Sequence, residues 1–154
     1  RGILHFIGGA ALGAAPRSVY SLLLERIASL TNTIVITTPV SITLDHATLA
    51  ESTARAFDDC RLNHLPLLLN NSINVFSLPV IGVGHSLGAK IHAILAADPQ
   101  VRAAAGVRLA NVLISYNNFP AETSIPLLTQ LASSSSSRSS SSKSASGSGG
   151  GGDV

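Results

Sequence analysis

The sequence predicts an α/β domain: a parallel sheet of about four strands with helices on both faces. Three observations carry this. Short apolar runs alternate with stretches whose apolar residues recur at helical spacing, an order that implies right-handed crossovers between parallel strands. The apolar runs are continuous rather than alternating, as in strands buried on both sides. The chain has 154 residues, 45% of them hydrophobic, which suits one buried core. No internal repeat recurs at a fixed period.

Taken in order, Ile3 to Ile7 reads as the first strand. Pro16 opens a helix whose positions Val19, Leu22, Leu23, Ile27 and Leu30 form an apolar stripe. Thr33 to Thr38 is the second strand, ended by Pro39. Ala47, Ala50, Ala54, Phe57 and Arg61 then lie on one helical stripe, apolar until its last member. A third strand runs from about Leu78 to Val83, a helix follows from Leu87 to Ala97, and Asp98-Pro99 stops it. Leu109 to Tyr116 is the fourth strand. From Ser133 to Gly152 the chain is almost wholly Ser and Gly, too poor in apolar surface to order itself. The expected organisation is therefore a folded domain over 1–131 and a low-complexity, disordered tail over 132–154.

Composition excludes several classes. Charged residues make up 12% of the chain and the net charge is +2, with eight Arg and two Lys scattered along it, so no nucleic-acid-binding patch stands out. Cys60 is the only cysteine, which excludes an intrachain disulfide and leaves a thiol-rich metal site without ligands. The longest apolar run, Ile7 to Pro16, is shorter than a membrane span and holds three glycines, so no transmembrane segment is expected. No cofactor and no metal is implied. The chain opens at Arg1 and enters a strand almost at once, so any signal or transit peptide is expected to lie outside it.

The chemistry centres on Gly84-His85-Ser86-Leu87-Gly88. An apolar strand leads into this pentapeptide and a helix leaves it, the setting that a G-x-S-x-G nucleophile elbow requires. Three fixed positions match by chance in roughly 5% of chains this long, so the strand and helix contribute much of the specificity. In this reading Ser86 is a nucleophile lifted to the sheet's C-terminal edge, and Gly84 and Gly88 leave room for close backbone passage. The alternative is that Ser86 caps the helix N-terminus.

A second element follows the first strand. Gly8-Gly9-Ala10-Ala11 stands where such enzymes place one oxyanion-binding N–H, the other coming from the residue after the nucleophile. Gly9 or Ala10, with Leu87, are the candidates; a glycine turn that merely lets a helix pack is the alternative. Asp45 and His46 fall just past the second strand and form a possible pocket lining, with Asp45 as a helix N-cap the plainer reading. His85 reads as a packing and turn residue and His5 as part of a buried strand. His64, close to Pro66, reads as a helix-end residue facing solvent or the last carbonyls. His92, six residues beyond Ser86 on one helix, cannot reach its hydroxyl and reads as a helix-surface or core histidine. Cys60 reads as a buried thiol.

Several blocks occur in one order: His5-Phe6-Ile7-Gly8-Gly9, Gly13-Ala14-Ala15-Pro16, Leu24-Glu25-Arg26, Asp45-His46, Phe57-Asp58, Gly82 to Gly88 and Asn111-Val112-Leu113. In these the chain resembles the plant and cyanobacterial domain-of-unknown-function family 1350, from about Ile3 to Leu128. The resemblance implies an α/β-hydrolase-like fold, here partial, and a plastid setting, with the cytoplasm as the alternative. It also implies that relatives continue beyond Asn117-Asn118-Phe119 into a part carrying the histidine of a catalytic triad, where this chain has its Ser/Gly tail.

Three functions follow as expectations. One is a serine-dependent acyl (ester or lipid) hydrolase in full-length form, this chain lacking the acid and base. The second is a non-catalytic relative that binds a lipid, pigment or protein partner in the same crevice, and the third is an inert fragment. If the strand order resembles that of other α/β hydrolases, the first strand lies between the second and third. Ser86 and Gly9 then face each other across the crevice where the order reverses.

Overall fold

The apolar run Ile3–Ile7 forms β1, which has a neighbouring strand on each side in a computed structural model of the protein. The structure describes residues 1–118 apart from 11, 42, 106 and 117. The expected domain boundary at residue 131 and the tail over 132–154 lie outside the described residues. The other strands are β2 (Ile34–Thr38), β3 (Val80–His85) and β4 (Ala110–Ile114). All pairings are parallel and the order is β2-β1-β3-β4, so β1 lies between β2 and β3 as the sequence predicts.

Side-chain alternation along β1 divides the core into two faces. Leu4 and Phe6 pack with Val83 and with Leu24 of α2 (Ser21–Thr31). On the opposite face, Ile7 packs with Leu49, Ala50 and Ala54 of α3 (His46–Asp59) and with Ile91 and Leu95 of α5 (Leu87–Ala97). The chain moves one way from β1 to β2 and the other way from β2 to β3 to β4. Crossovers of a single hand then put α2 on one face and α3 and α5 on the other, as observed.

The first helical stretch differs from expectation. Pro16 opens only a short α1 (Pro16–Val19), Tyr20 breaks the run at φ −108° and ψ 11°, and α2 starts afresh. The break resets the phase. Leu24 is the buried residue, Ile27 is half-buried, and Val19, Leu22, Leu23 and Leu30 face outward, Leu22 at 83% exposure. Tyr20 accounts for the new phase, because its ring packs on Phe6 with centroids 4.8 Å apart.

The second stripe fares better, since Ala50, Ala54 and Phe57 are buried along with Leu49 and Thr53, whereas Ala47 is exposed. After α3 the chain widens into a π-helical turn, Cys60–His64, before α4 (Leu65–Leu68). Pro66 explains the widening: it lacks an N–H, and its ring would strike the carbonyl of Leu62 in a regular α-helix. Arg61 leaves the stripe to donate to the carbonyls of Val75, Phe76 and Leu78 at 3.4, 3.3 and 3.5 Å. Asp98-Pro99 ends α5 but also starts α6 (Pro99–Ala105), because Asp98 Oδ1 accepts from the N–H groups of Gln100 and Val101. All five residues of β4 are exposed.

Candidate functional site

β3 ends on His85 and α5 begins at Leu87, so Ser86 alone makes the turn, at φ 55° and ψ −114°. That conformation disfavours a side chain by about 1–3 kcal/mol and persists only where its surroundings hold it. Here they do. The Ser86 N–H donates to the Ile114 carbonyl of β4 at 2.9 Å, and the Ser86 carbonyl accepts from the N–H groups of Ala89 and Lys90 at 3.0 and 3.3 Å. Three backbones converge beneath the turn: a Cβ on Gly84 would overlap the Gly88 carbonyl, and one on Gly88 would overlap the carbonyl of Ile7 in β1. The two glycines are thus packing requirements. Ser86 holds the N-cap position of α5, but its side chain makes no capping hydrogen bond, so the hydroxyl cap that the sequence left open is not formed.

The loop after β1 comes to the same place. A Cβ built on Gly9 would lie 3.4 Å from Ser86 Cβ and 3.3 Å from His85 Nδ1, so Gly9 and Ser86 meet across the β1–β3 crevice. The Gly9 N–H donates to Tyr20 Oη at 3.2 Å. Tyr20 Oη lies 2.9 Å from His85 Nδ1. Because the amide can only donate, the Tyr20 oxygen accepts from it, and the same hydroxyl pairs with His85 Nδ1 in a hydrogen bond whose donor is set by the tautomer of the ring. The Gly9 amide is therefore occupied. Ala10, beside it, is buried, and Leu87 holds the first helical position of α5, where a backbone N–H has no partner one turn back. The residue that sequence reasoning missed is Tyr20. It stands 65 positions from His85 and carries no local motif.

Asp45 is an N-cap: its carboxylate accepts from Thr48 N–H at 3.0 Å and from Thr48 Oγ1 at 2.7 Å, and these bonds hold it below the usual carboxylate range. His46 opens α3, half-buried. His5 and His92 are wholly buried. The His5 ring stacks on Phe57 with centroids 4.1 Å apart, donates from Nε2 to Thr38 Oγ1 at 2.8 Å, and accepts at Nδ1 from Arg108 at 3.0 Å. His92 donates from Nε2 to the His5 carbonyl at 3.1 Å, in space that Gly82 leaves open. Burial lowers both histidines, His5 well below its ordinary value and His92 to about 3, with the charge of Arg108 adding to the effect. Both are neutral core groups.

His64 pairs with Asp59 at 3.3 Å on the surface. The Cys60 thiol is half-buried, and burial together with the neighbouring Asp59 pushes it up, away from thiolate character. Among the described residues no base is hydrogen-bonded to Ser86 Oγ, no three of His, Cys, Asp and Glu gather as metal ligands, and no helix is long and apolar enough to cross a membrane. The arrangement offers a strained, uncapped serine hydroxyl beside a glycine loop and a helix N-terminus.

A family model described as "Protein of unknown function (DUF1350)" matches residues 1–145, reaching past the sequence blocks into the Ser/Gly-rich stretch. No curated protein and no solved structure matches the chain.

Proposed function

The chain belongs to the DUF1350 family, and we propose that this family's site is that of a serine-dependent acyl hydrolase acting on an ester or lipid. One observation carries the reading: Ser86 is held at φ 55° with its hydroxyl uncapped, next to the Gly8 to Gly13 loop. Strain of this kind at a nucleophile is maintained where it aims a reacting atom. Ser86 Oγ would attack the substrate carbonyl, and the N–H groups of Leu87 and Ala10 would receive the oxyanion. Gly9, the other candidate, has its amide on Tyr20. Attack also needs a base within hydrogen-bond reach, and the described residues supply none. The activity is therefore assigned to the full-length form. A plastid setting, implied by the family resemblance, belongs to the same proposal.

A second reading, a non-catalytic binding protein using the same crevice, is favoured by the same lack of a base among the described residues. Labelling with a fluorophosphonate probe, located by mass spectrometry, tests between them, alongside turnover of short activated esters. The chain and its Ser86→Ala variant are compared, and then a longer family member and its equivalent variant. Serine-dependent labelling and turnover in the longer protein, with a rate here no higher than that of Ser86→Ala, is the expected result. Absence of serine-dependent labelling from both would overturn the hydrolase reading. Ser86-dependent turnover in this chain would mean that a base has been overlooked.

A further inference from the structure

We propose that Tyr20 is the positioning residue of this site: its hydroxyl ties the glycine loop after β1 to the serine elbow and fixes which amides face Ser86. The purpose of that positioning rests on the hydrolase reading, but the tie itself does not. Three contacts define it. Tyr20 Oη accepts from Gly9 N–H at 3.2 Å, shares a hydrogen bond with His85 Nδ1 at 2.9 Å, and its ring packs on Phe6 in the middle of the core. The hydroxyl thus bridges the two strand ends that frame the crevice, one hydrogen bond to each.

Nothing else described bridges the side chain before Ser86 to the loop. The loop itself closes through Gly13 N–H on the Gly9 carbonyl, so the Gly9 peptide is fixed on both sides, by Tyr20 at its nitrogen and by Gly13 at its oxygen. With Gly9 held in this way, the next amide along, that of Ala10, is left for an incoming oxyanion. The fit is tight as well as polar, since a Cβ on Gly8 would come to 2.9 Å from Tyr20 Cε2. The helix break at Tyr20 now has a use: it turns the ring off the α2 stripe and onto Phe6, with the hydroxyl at the crevice.

The test uses the whole chain and its Tyr20→Phe variant, which keeps the ring on Phe6 and removes only the hydroxyl. Amide hydrogen exchange is read at Gly9, and nitrogen NMR of the imidazole reads the tautomer of His85. The loss of one hydrogen bond is expected to speed exchange at Gly9 roughly threefold to tenfold, and to change the tautomer balance of His85, while the amides of Ile3 to Phe6 keep their rates. His85→Gln, which retains an acceptor, is expected to preserve Gly9 protection, and His85→Leu to reduce it. If Tyr20→Phe leaves both Gly9 exchange and the His85 tautomer unchanged, the proposal is wrong. If the exchange pattern is as expected and Ser86 takes no label even in a longer relative, the tie stands and the hydrolase reading falls. If Ser86 labels at equal rates with and without the Tyr20 hydroxyl, positioning fails even though the reading holds.

Discussion

Gly88 gives the sharpest test of how β1 and α5 meet. In Gly88→Ala the new methyl would overlap the Ile7 carbonyl oxygen, lie 2.5 Å from the carbonyl carbon, and lie 2.8 Å from the oxygen of Gly8. These atoms belong to the buried central strand and the loop leaving it, so no side chain can rotate away; α5 must retreat from β1. Overpacking typically destabilises by 1–3 kcal/mol, and a backbone target places this case at the upper end or above. Opposing it, alanine is favoured over glycine inside a helix by about 1 kcal/mol. The net loss is about 2–3 kcal/mol, a large share of a total near 5–15 kcal/mol. Urea denaturation followed by circular dichroism should show the midpoint falling by about 1–2 M. Ala96→Gly, on the exposed end of the same helix, should lose about 1 kcal/mol through propensity alone. If Gly88→Ala is as stable as the native chain or more so, propensity governs the position and the close approach described here is wrong.

Other consequences can be measured on the same protein. Because the folded pKa values of His5 and His92 are lowered while the unfolded chain titrates near 6.5, the unfolded state binds more protons below that value. Stability should therefore fall as pH drops below about 6.5, by about 2 kcal/mol at pH 5 from His92 alone, with His5 acting in the same direction; equal urea midpoints at pH 7 and pH 5 would contradict two neutral buried rings. Ser86→Ala should change stability by less than about 0.5 kcal/mol, since no cap is lost, whereas a capping serine would show about 1 kcal/mol. Ser86→Gly should be the more stable of the two by roughly 1 kcal/mol, because glycine tolerates positive φ; equal midpoints would argue against backbone strain there. Leu109, Val112, Leu113, Ile114 and Tyr116 are all exposed on or beside β4, an apolar edge of the described sheet, so the chain should self-associate. Sedimentation should show Leu113→Lys shifting the population towards monomer, and a native chain that is already monodisperse at micromolar concentration would count against this.

What the sequence discloses is mostly local. β1 falls where its apolar run predicts, and the elbow is legible because strand, turn and helix are contiguous in the chain. The run Leu22-Leu23-Leu24 could not set the phase of α2, since three adjacent leucines satisfy several helical stripes and only Tyr20, docked on Phe6, selects one. Asp98-Pro99 reads as a stop, yet the same pair starts a helix, because capping and termination use the same residue types. The Gly9–Tyr20–His85 chain and the His5–Arg108 contact escape any pattern, since their partners are 65 and 103 residues apart and no periodicity links them. The crevice was therefore predictable from topology, and the means of holding it shut was not.

The central position of β1 has a consequence for how the protein is made. β1 leaves the ribosome ahead of β2, β3 and β4, and it is apolar on both faces, but one of its two partners, β3, begins at residue 80. At about 5–20 residues per second, the strand waits several seconds for the β3 segment to be synthesised. During that interval β2, α2 and α3 can shelter Leu4, Phe6 and Ile7, but the edge of β1 that pairs with β3 stays open. Closure of a loop of this length sets a slow step in folding, and the serine turn cannot form before it. A chaperone acting on the β1–β2 segment would thus govern the yield of a site built from residues 84 to 88.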